Sequence, residues 1–239
     1  MKHVVCSAIA ATLLSAAALG LAGTAGATPL NDPNGLCSYH DDLGNCLYGA
    51  AGPSRSVDLR FPSDFPQEQA IVDYLDKAVD EFNADAGPLG TLDDPLPLEQ
   101  LEATSTRYSS GTPETGTQTV VVELDQTLRH AAHPMNWYQS FSYNNATQAT
   151  ITFNTLFRPG TQPLPAILPI VEQQLSVTAG APITIDPATG LDPASYQDFA
   201  VTDEAVLFFF DKNQIHPAYG ATVVSVPRTA IAAMLSPGI

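Results

Sequence analysis

Phe199-Ala200-Val201-Thr202-Asp203-Glu204-Ala205-Val206-Leu207-Phe208-Phe209-Phe210 is the stretch that decides the fold class. Two runs rich in β-branched and aromatic residues, 199–202 and 205–210, flank the acidic pair Asp203-Glu204. Such runs read as strands. A link this short can join only antiparallel neighbours, because a parallel pair needs a crossover of about a dozen residues or more. Phe208-Phe209-Phe210 lacks the polar alternation of a half-solvated strand. It reads as a strand buried on both faces, and so as core.

Working toward the N-terminus, Pro163 opens a helical pattern with Leu164, Ile167, Leu168, Val171 and Leu175 apolar, Pro169 inside it as a start or a kink, and Gly180 as a stop. Asp192-Pro193 reads as a cap and the first residue of one helical turn. Residues 148–153 alternate as a strand, with Ala149, Ile151 and Phe153 on one face. Together with 137–143 and the Asn144-Asn145-Ala146 turn they predict a hairpin. Residues 101–109 and 117–128 are two more strands. A helix starts near Asp64 and Pro66 and carries Ile71, Leu75, Ala78, Val79 and Phe82 at helical spacing, with Asp73, Asp76, Lys77 and Asp80 opposite. Residues 57–61 alternate as a strand. Toward the C-terminus, 222–226 is the last strand and 229–235 a short closing helix. Strands that follow one another with few helices between them predict an α+β domain, a largely antiparallel twisted sheet packed with two or three helices. No internal repeat is present.

The chain has 239 residues, of which 44% are hydrophobic and 14% charged, with a formal net charge of −16. One domain, or at most two, fits this length. The acidic balance argues against nucleic-acid binding, which rests on neutralising phosphates. It also argues against a polybasic membrane surface. The apolar content argues against disorder.

Residues 1–27 are an address. Lys2 and His3 precede an apolar run through Leu21, and Ala25-Gly26-Ala27 is a small-x-small cleavage pattern. The mature chain is therefore expected to begin at Thr28, secreted to the outside or held in the cell wall. No later apolar run is long enough to span a bilayer. Cleavage removes Cys6 and leaves Cys37 and Cys46, which in an oxidising compartment read as a disulfide. The bridge would close a loop of ~10 residues, worth roughly 2–3 kcal/mol. His40 and Asp41 lie inside that loop, but the spacing is not that of a zinc site. Residues 28–54 then read as an extended leader pinned by the bridge, and 55–239 as the α+β domain.

Several of these segments carry a resemblance. Residues 163–175, Gly190-Leu191-Asp192-Pro193, 196–202, Leu207-Phe208-Phe209-Phe210 and Val226-Pro227-Arg228 resemble the mycobacterial secreted immunogenic protein family (Mpt sixty-four type), which shares its C-terminal domain with RsiV-like proteins. His133-Pro134 and residues 152–157 extend the likeness. It implies a secreted α+β protein known mainly as an antigen, with esterase activity proposed within the wider family. RsiV-type relatives are anti-sigma factors whose outer domain binds lysozyme. This chain lacks their cytoplasmic segment and membrane span, so that role does not carry over. Asp203-Glu204-Ala205 departs from the family pattern in lacking a turn glycine.

The residues offer sparse chemistry. An esterase needs a nucleophile, a base and an oxyanion hole, yet the G-x-S-x-G elbow is absent. Ser109-Ser110-Gly111 is the nearest fragment, with His130, His133 and His216 as bases. No residue is assigned a catalytic role. Asp41-Asp42 and Asp93-Asp94 read as solvated loops, since no calcium-loop pattern surrounds them. No metal site or cofactor motif is found. Asn145-Ala146-Thr147 matches a glycosylation acceptor, which a bacterial source would leave idle. Trp137, Tyr138 and His133 are the candidate ligand contacts. The reading is a secreted, non-enzymatic binding or immunogenic protein, expected to be monomeric, with a basic protein such as lysozyme or a host protein as partner. A secreted carboxyl esterase and a structural envelope component are the alternatives.

Overall fold

The computed structural model describes residues 39–88, 98–217 and 219–239. In chain order the elements are β1 (Tyr39–His40), β2 (Asn45–Ala51), β3 (Arg55–Pro62), α1 (Glu68–Asp85), β4 (Glu99–Ser110), β5 (Thr117–Thr127), β6 (Met135–Asn144), β7 (Ala149–Thr150), α2 (Phe153–Leu156), α3 (Leu164–Ala179), α4 (Pro187–Gly190), a 3-10 turn (Pro193–Tyr196), β8 (Phe199–Val201), β9 (Ala205–Phe210), β10 (Thr222–Pro227) and α5 (Arg228–Ile231). Strands β1 to β7 form one sheet in chain order, and β10-β9-β8 form a second. Every neighbouring pair is antiparallel except β3 and β4, which run parallel with α1 in the connection between them.

Alternation on the strands sets the layers. On the large sheet Val57, Leu59, Phe61, Leu101, Ala103, Val120, Val122 and Leu124 share one face. The apolar stripe of α1, with Ile71, Leu75 and Phe82 fully buried, packs on it. Asp76, expected on the polar side, is only 9% exposed. The opposite face carries Val121 and Tyr138 and meets Ala200 and Phe209 of the small sheet. The outer face of the small sheet meets α3, α4 and α5 in the largest core, centred on Tyr196. Its ring is edge-on to Phe208 and Phe210 at 5.3 and 5.4 Å, and its hydroxyl donates to the Gly190 carbonyl at 2.9 Å. Phe208 and Phe210 thus serve one core and Phe209 the other, so the run is apolar throughout. The α+β class and the largely antiparallel pairing hold, and among the described residues α1 and α3 are the two helices of more than one turn.

Some elements differ from the sequence reading. Residues 45–51, read as leader, are strand β2, paired along its whole length with β3 and burying Cys46 and Tyr48. The boundary at residue 55 therefore falls within one sheet. The strand expected over 148–153 stops at Thr150. Thr152 instead caps α2: its hydroxyl accepts the Thr155 N–H, and the Thr155 hydroxyl accepts the Thr152 N–H at 2.8 Å. That capping box turns Phe153 and Leu156 into the core around Tyr196. Helix α1 begins at Glu68, two residues beyond Pro66, and α5 ends at Ile231. Pro169 interrupts nothing: α3 runs from Leu164 through it and ends at Gly180 in the left-handed conformation. The β8–β9 turn forms without glycine, because Thr202 braces it. Its N–H and its hydroxyl both donate to the Ala205 carbonyl, at 2.9 and 3.1 Å.

Candidate functional site

The outer edge of β6 is closed by side chains from the C-terminal half. Asp211 accepts the Tyr138 N–H at 2.8 Å, and Asp198 accepts the Ser140 N–H at 2.6 Å. The Lys212 N–H donates to the Asn136 carbonyl at 3.1 Å, and the Ile151 N–H to the Ser142 carbonyl at 2.8 Å. These bonds occupy groups a free edge would offer to another chain. Burial pushes the Asp198 carboxyl up to about 6, against the Ser140 N–H, and the charge of Asp211 adds to the rise. Burial also raises Asp211.

The three candidate ligand contacts do not converge. Trp137 and Tyr138, adjacent on β6, point to opposite faces. Trp137 packs on the α1 side, and its indole N–H donates to the Tyr74 hydroxyl at 2.8 Å. Tyr138 is buried between the sheets beside Phe209, at 5.3 Å between ring centres. Burial, and the charge of Glu123 next, push its hydroxyl up to about 12. His133 is exposed in the bend before β6. The pair therefore serves packing, as alternate residues do in a sheet covered on both faces.

The hydrolase fragment is also dispersed. Ser110 is buried and its hydroxyl pairs with that of Thr117 at 2.8 Å, while Ser109 is exposed. A cavity of about 430 Å³ opens beside both, and no histidine or carboxylate lines it. Among the described residues no cluster of three His, Cys, Asp or Glu could hold a metal ion, and no helix is long and apolar enough to cross a membrane. Asp41 is a structural acid: Asn45, through side chain and backbone, holds its carboxyl far below the usual range. Cys46 is 1% exposed in the first core. Cys37, Asp93 and Asp94 lie outside the described residues, as do 1–27.

Sequence reading missed the open part of the large sheet. The small sheet covers the end of β4, β5 and β6 where Tyr108, Val121 and Tyr138 lie. Farther along, one register row runs Gly49–Asp58–Glu102–Asp125–Asn136 across β2 to β6. Asp58, Glu102 and Asp125 are all exposed. Like charges directly opposite one another weaken a sheet. The partners of this row are neutral amides: Gln100 donates to Glu102, and Asn136 to Asp125. Arg60, the basic residue nearest by register, is paired with Asp41. Only the strand register places these acids side by side, so no local motif could announce them.

Layering, topology and the closed β6 edge define an α+β domain of a known class. Residues 154–229 match the family model described as "Protein of unknown function (DUF3298)". The fold resembles a solved DUF3298 family protein of Pseudomonas aeruginosa, with TM-score 0.53 and 14% identity over 81% of this chain and 94% of that one. It also resembles one from Bacteroides fragilis, with TM-score 0.51 and 11% identity over 81% and 93%.

At closer range, the chain is 36% identical to the immunogenic protein MPB64 of Mycobacterium bovis and to MPT64 of Mycobacterium tuberculosis, over 80% of this chain and 82% of each relative. It is 44% identical to the esterase Rv3036c of Mycobacterium tuberculosis, over 78% of this chain and 81% of that protein. The chain belongs to this mycobacterial immunogenic protein family.

Proposed function

We propose that the chain is a secreted immunogenic protein that acts by binding, and that its partner is a basic protein docking on the open acidic face of the large sheet. The observation that carries this reading is the Asp58–Glu102–Asp125 row, three exposed carboxylates in cross-strand register that take part in no ion pair among the described residues. A row that costs the sheet stability in isolation is relieved by a cationic surface laid over it. The net charge of −16 would steer such a partner over longer range. Secretion rests on the cleavage pattern at Ala25-Gly26-Ala27 and on membership of the family, and the Cys37–Cys46 bridge follows from it. Lysozyme is a suitable basic probe. Its binding should weaken about tenfold or more as salt rises from about 0.05 M to about 0.3 M, shortening the Debye length. The combined variant Asp58→Asn, Glu102→Gln, Asp125→Asn should lose most of that affinity while folding normally. Undiminished binding by this variant would exclude the face.

A second reading, a secreted carboxyl esterase, is favoured by the name of the 44% identical relative. Ester hydrolysis by the pure protein, compared with Ser109→Ala, Ser110→Ala and His133→Ala, separates the two. Turnover that collapses in one folded variant establishes the esterase.

A further inference from the structure

We propose that the cavity between the Arg158–Thr161 turn and the start of α3 binds an amphiphilic carboxylate, a medium-chain fatty acid in size and polarity. This site is separate from the acidic sheet face and does not depend on it. The cavity measures about 550 Å³, within the ~300–1,000 Å³ range of small-molecule sites. Its apolar wall is made by Phe153, Phe157, Leu164, Leu191 and Pro193. Leu191 is 42% exposed, a large apolar side chain left partly uncovered where it borders the cavity.

The rim supplies a positive group. Arg60, Arg107, Arg55, Arg129 and Lys77 all sit in ion pairs with carboxylates, whereas Arg158, like Arg228 and Lys212, takes part in none of these pairs among the described residues. Of these three, Arg158 is the one that lines this cavity. It is also held in place. Arg158 Nε donates to the Leu235 carbonyl at 2.7 Å, and its backbone N–H to the Met234 carbonyl at 2.7 Å. Its own carbonyl accepts the Thr161 N–H at 3.2 Å and the Thr161 hydroxyl at 2.7 Å. Gly160, at φ +81°, permits that tight turn. The bond through Nε leaves the two terminal nitrogens as a fork, the geometry that engages a carboxylate with two parallel hydrogen bonds.

A second feature favours negative charge at the same place. Pro163 begins α3 with no side-chain cap, and Pro163, Leu164 and Pro165 all line the cavity. The start of a 16-residue helix with no acid in its first turn therefore borders the cavity. Asp192, between the lining residues Leu191 and Pro193, is turned to its own cap, accepting the Ala194 N–H at 2.9 Å. Asn154 and Gln162 add neutral donors at the lining. An apolar slot bordered by a guanidinium fork and a helix start matches a chain ending in a carboxylate.

The test titrates sodium decanoate, below its micelle concentration, against the full mature chain, with decanamide as the uncharged counterpart. Saturable binding of one decanoate per chain is expected, with decanamide weaker by about tenfold or more, since hydrogen bonds to charged groups are the stronger kind. Arg158→Gln should bring decanoate down to the level of decanamide. Because Arg158 also holds Leu235, Leu191→Asp in the apolar lining serves as a second variant. It breaks no hydrogen bond, should keep the parent melting temperature, and should weaken both ligands by about tenfold or more by ending the apolar wall. Absence of saturable decanoate binding, equal affinity for decanoate and decanamide, or unchanged affinity in Leu191→Asp overturns the proposal.

Discussion

The side chain of Gln174 on α3 bonds both backbone groups of Ser225 on β10: its amide N–H donates to the Ser225 carbonyl, and its amide oxygen accepts the Ser225 N–H at 3.0 Å. Among the described residues strand β10 pairs only with β9, so its other side is a sheet edge. Gln174 stands where a neighbouring strand would. Pro227, two residues on, has no N–H to offer, which suits an edge position. Gln174→Ala should cost roughly 1–2 kcal/mol through two lost hydrogen bonds. It should also expose the edge beside Val223, which is already 44% exposed, and so promote association between copies. Urea unfolding and light scattering over a range of protein concentrations read both effects. A variant as stable and as monomeric as the parent would show that the amide is a passive contact.

Asp198 makes folding sensitive to mildly acidic pH. Its folded value of about 6 lies above the ordinary carboxylate value of 3.8. The folded chain therefore holds this proton more tightly than the unfolded chain. The contribution is fully present below about pH 4 and is lost as pH rises through about 6. Two units correspond to roughly 2–3 kcal/mol at full effect. Asp198→Asn keeps an oxygen to accept the Ser140 N–H but cannot ionise. Its stability relative to the parent should rise between pH 4 and pH 7 and then level off. Denaturant midpoints of the two proteins across that range are the check, and a difference that stays constant with pH would rule out Asp198 as the source.

Where a strand alternates, or carries a run buried on both faces, the sequence was legible: β4, β5, β8 and β9 were found close to their true bounds. Strand β2 was not, because Gly49-Ala50-Ala51 has neither alternation nor β-branching, and only its pairing with β3 makes it a strand. Helix α2 was hidden by Thr152 and Thr155, which suit a strand as well as a capping box. Trp137 and Tyr138 looked like a patch because alternation does not tell which face is covered, and here both are. The acidic row and the unpaired Arg158 are products of register and of distant packing, which leave no local spacing to read.

Cys46 is packed among Tyr48, Phe61 and the α1 stripe in the first core. The proposed bridge to Cys37 would fasten the chain ahead of β1 to β2, a paired strand of the large sheet, rather than to a loose leader. Mass spectrometry of the secreted protein without reductant should find the mature chain starting at Thr28 and a single Cys37–Cys46 bridge. Because β2 is an integral strand, reduction should lower the stability of the whole domain by roughly 2–3 kcal/mol. A mass retaining residues 1–27 would count against the Thr28 start, and native-state labelling of both thiols against the bridge.

Glu99 is the fastening of α1 to the sheet. It is 0% exposed at the start of β4 and lies 3.0 Å from the Arg129 guanidinium and 3.6 Å from that of Arg55. It also accepts the Gly87 N–H at 3.2 Å. Arg55 in turn donates to Asn83 and to the Gly87 carbonyl and lies over the Phe82 ring, while Arg129 donates to the Pro88 carbonyl. Burial pushes the Glu99 carboxyl up, but the Gly87 and Arg129 N–H groups and the two guanidiniums outweigh it and hold the value below the ordinary range. Its stabilisation is thus present above the unfolded carboxylate value and is lost as pH falls through the lowered one. Glu99→Ala leaves two half-buried guanidiniums without their acid and should cost about 3–5 kcal/mol. Glu99→Gln keeps the acceptor for the N–H groups and should cost less. Hydrogen exchange locates the damage: the C-terminal turns of α1 and the first residues of β4 should lose protection before the core around Tyr196. Uniform loss across both cores would mean that the Arg55–Glu99–Arg129 cluster holds the whole molecule, not this junction alone.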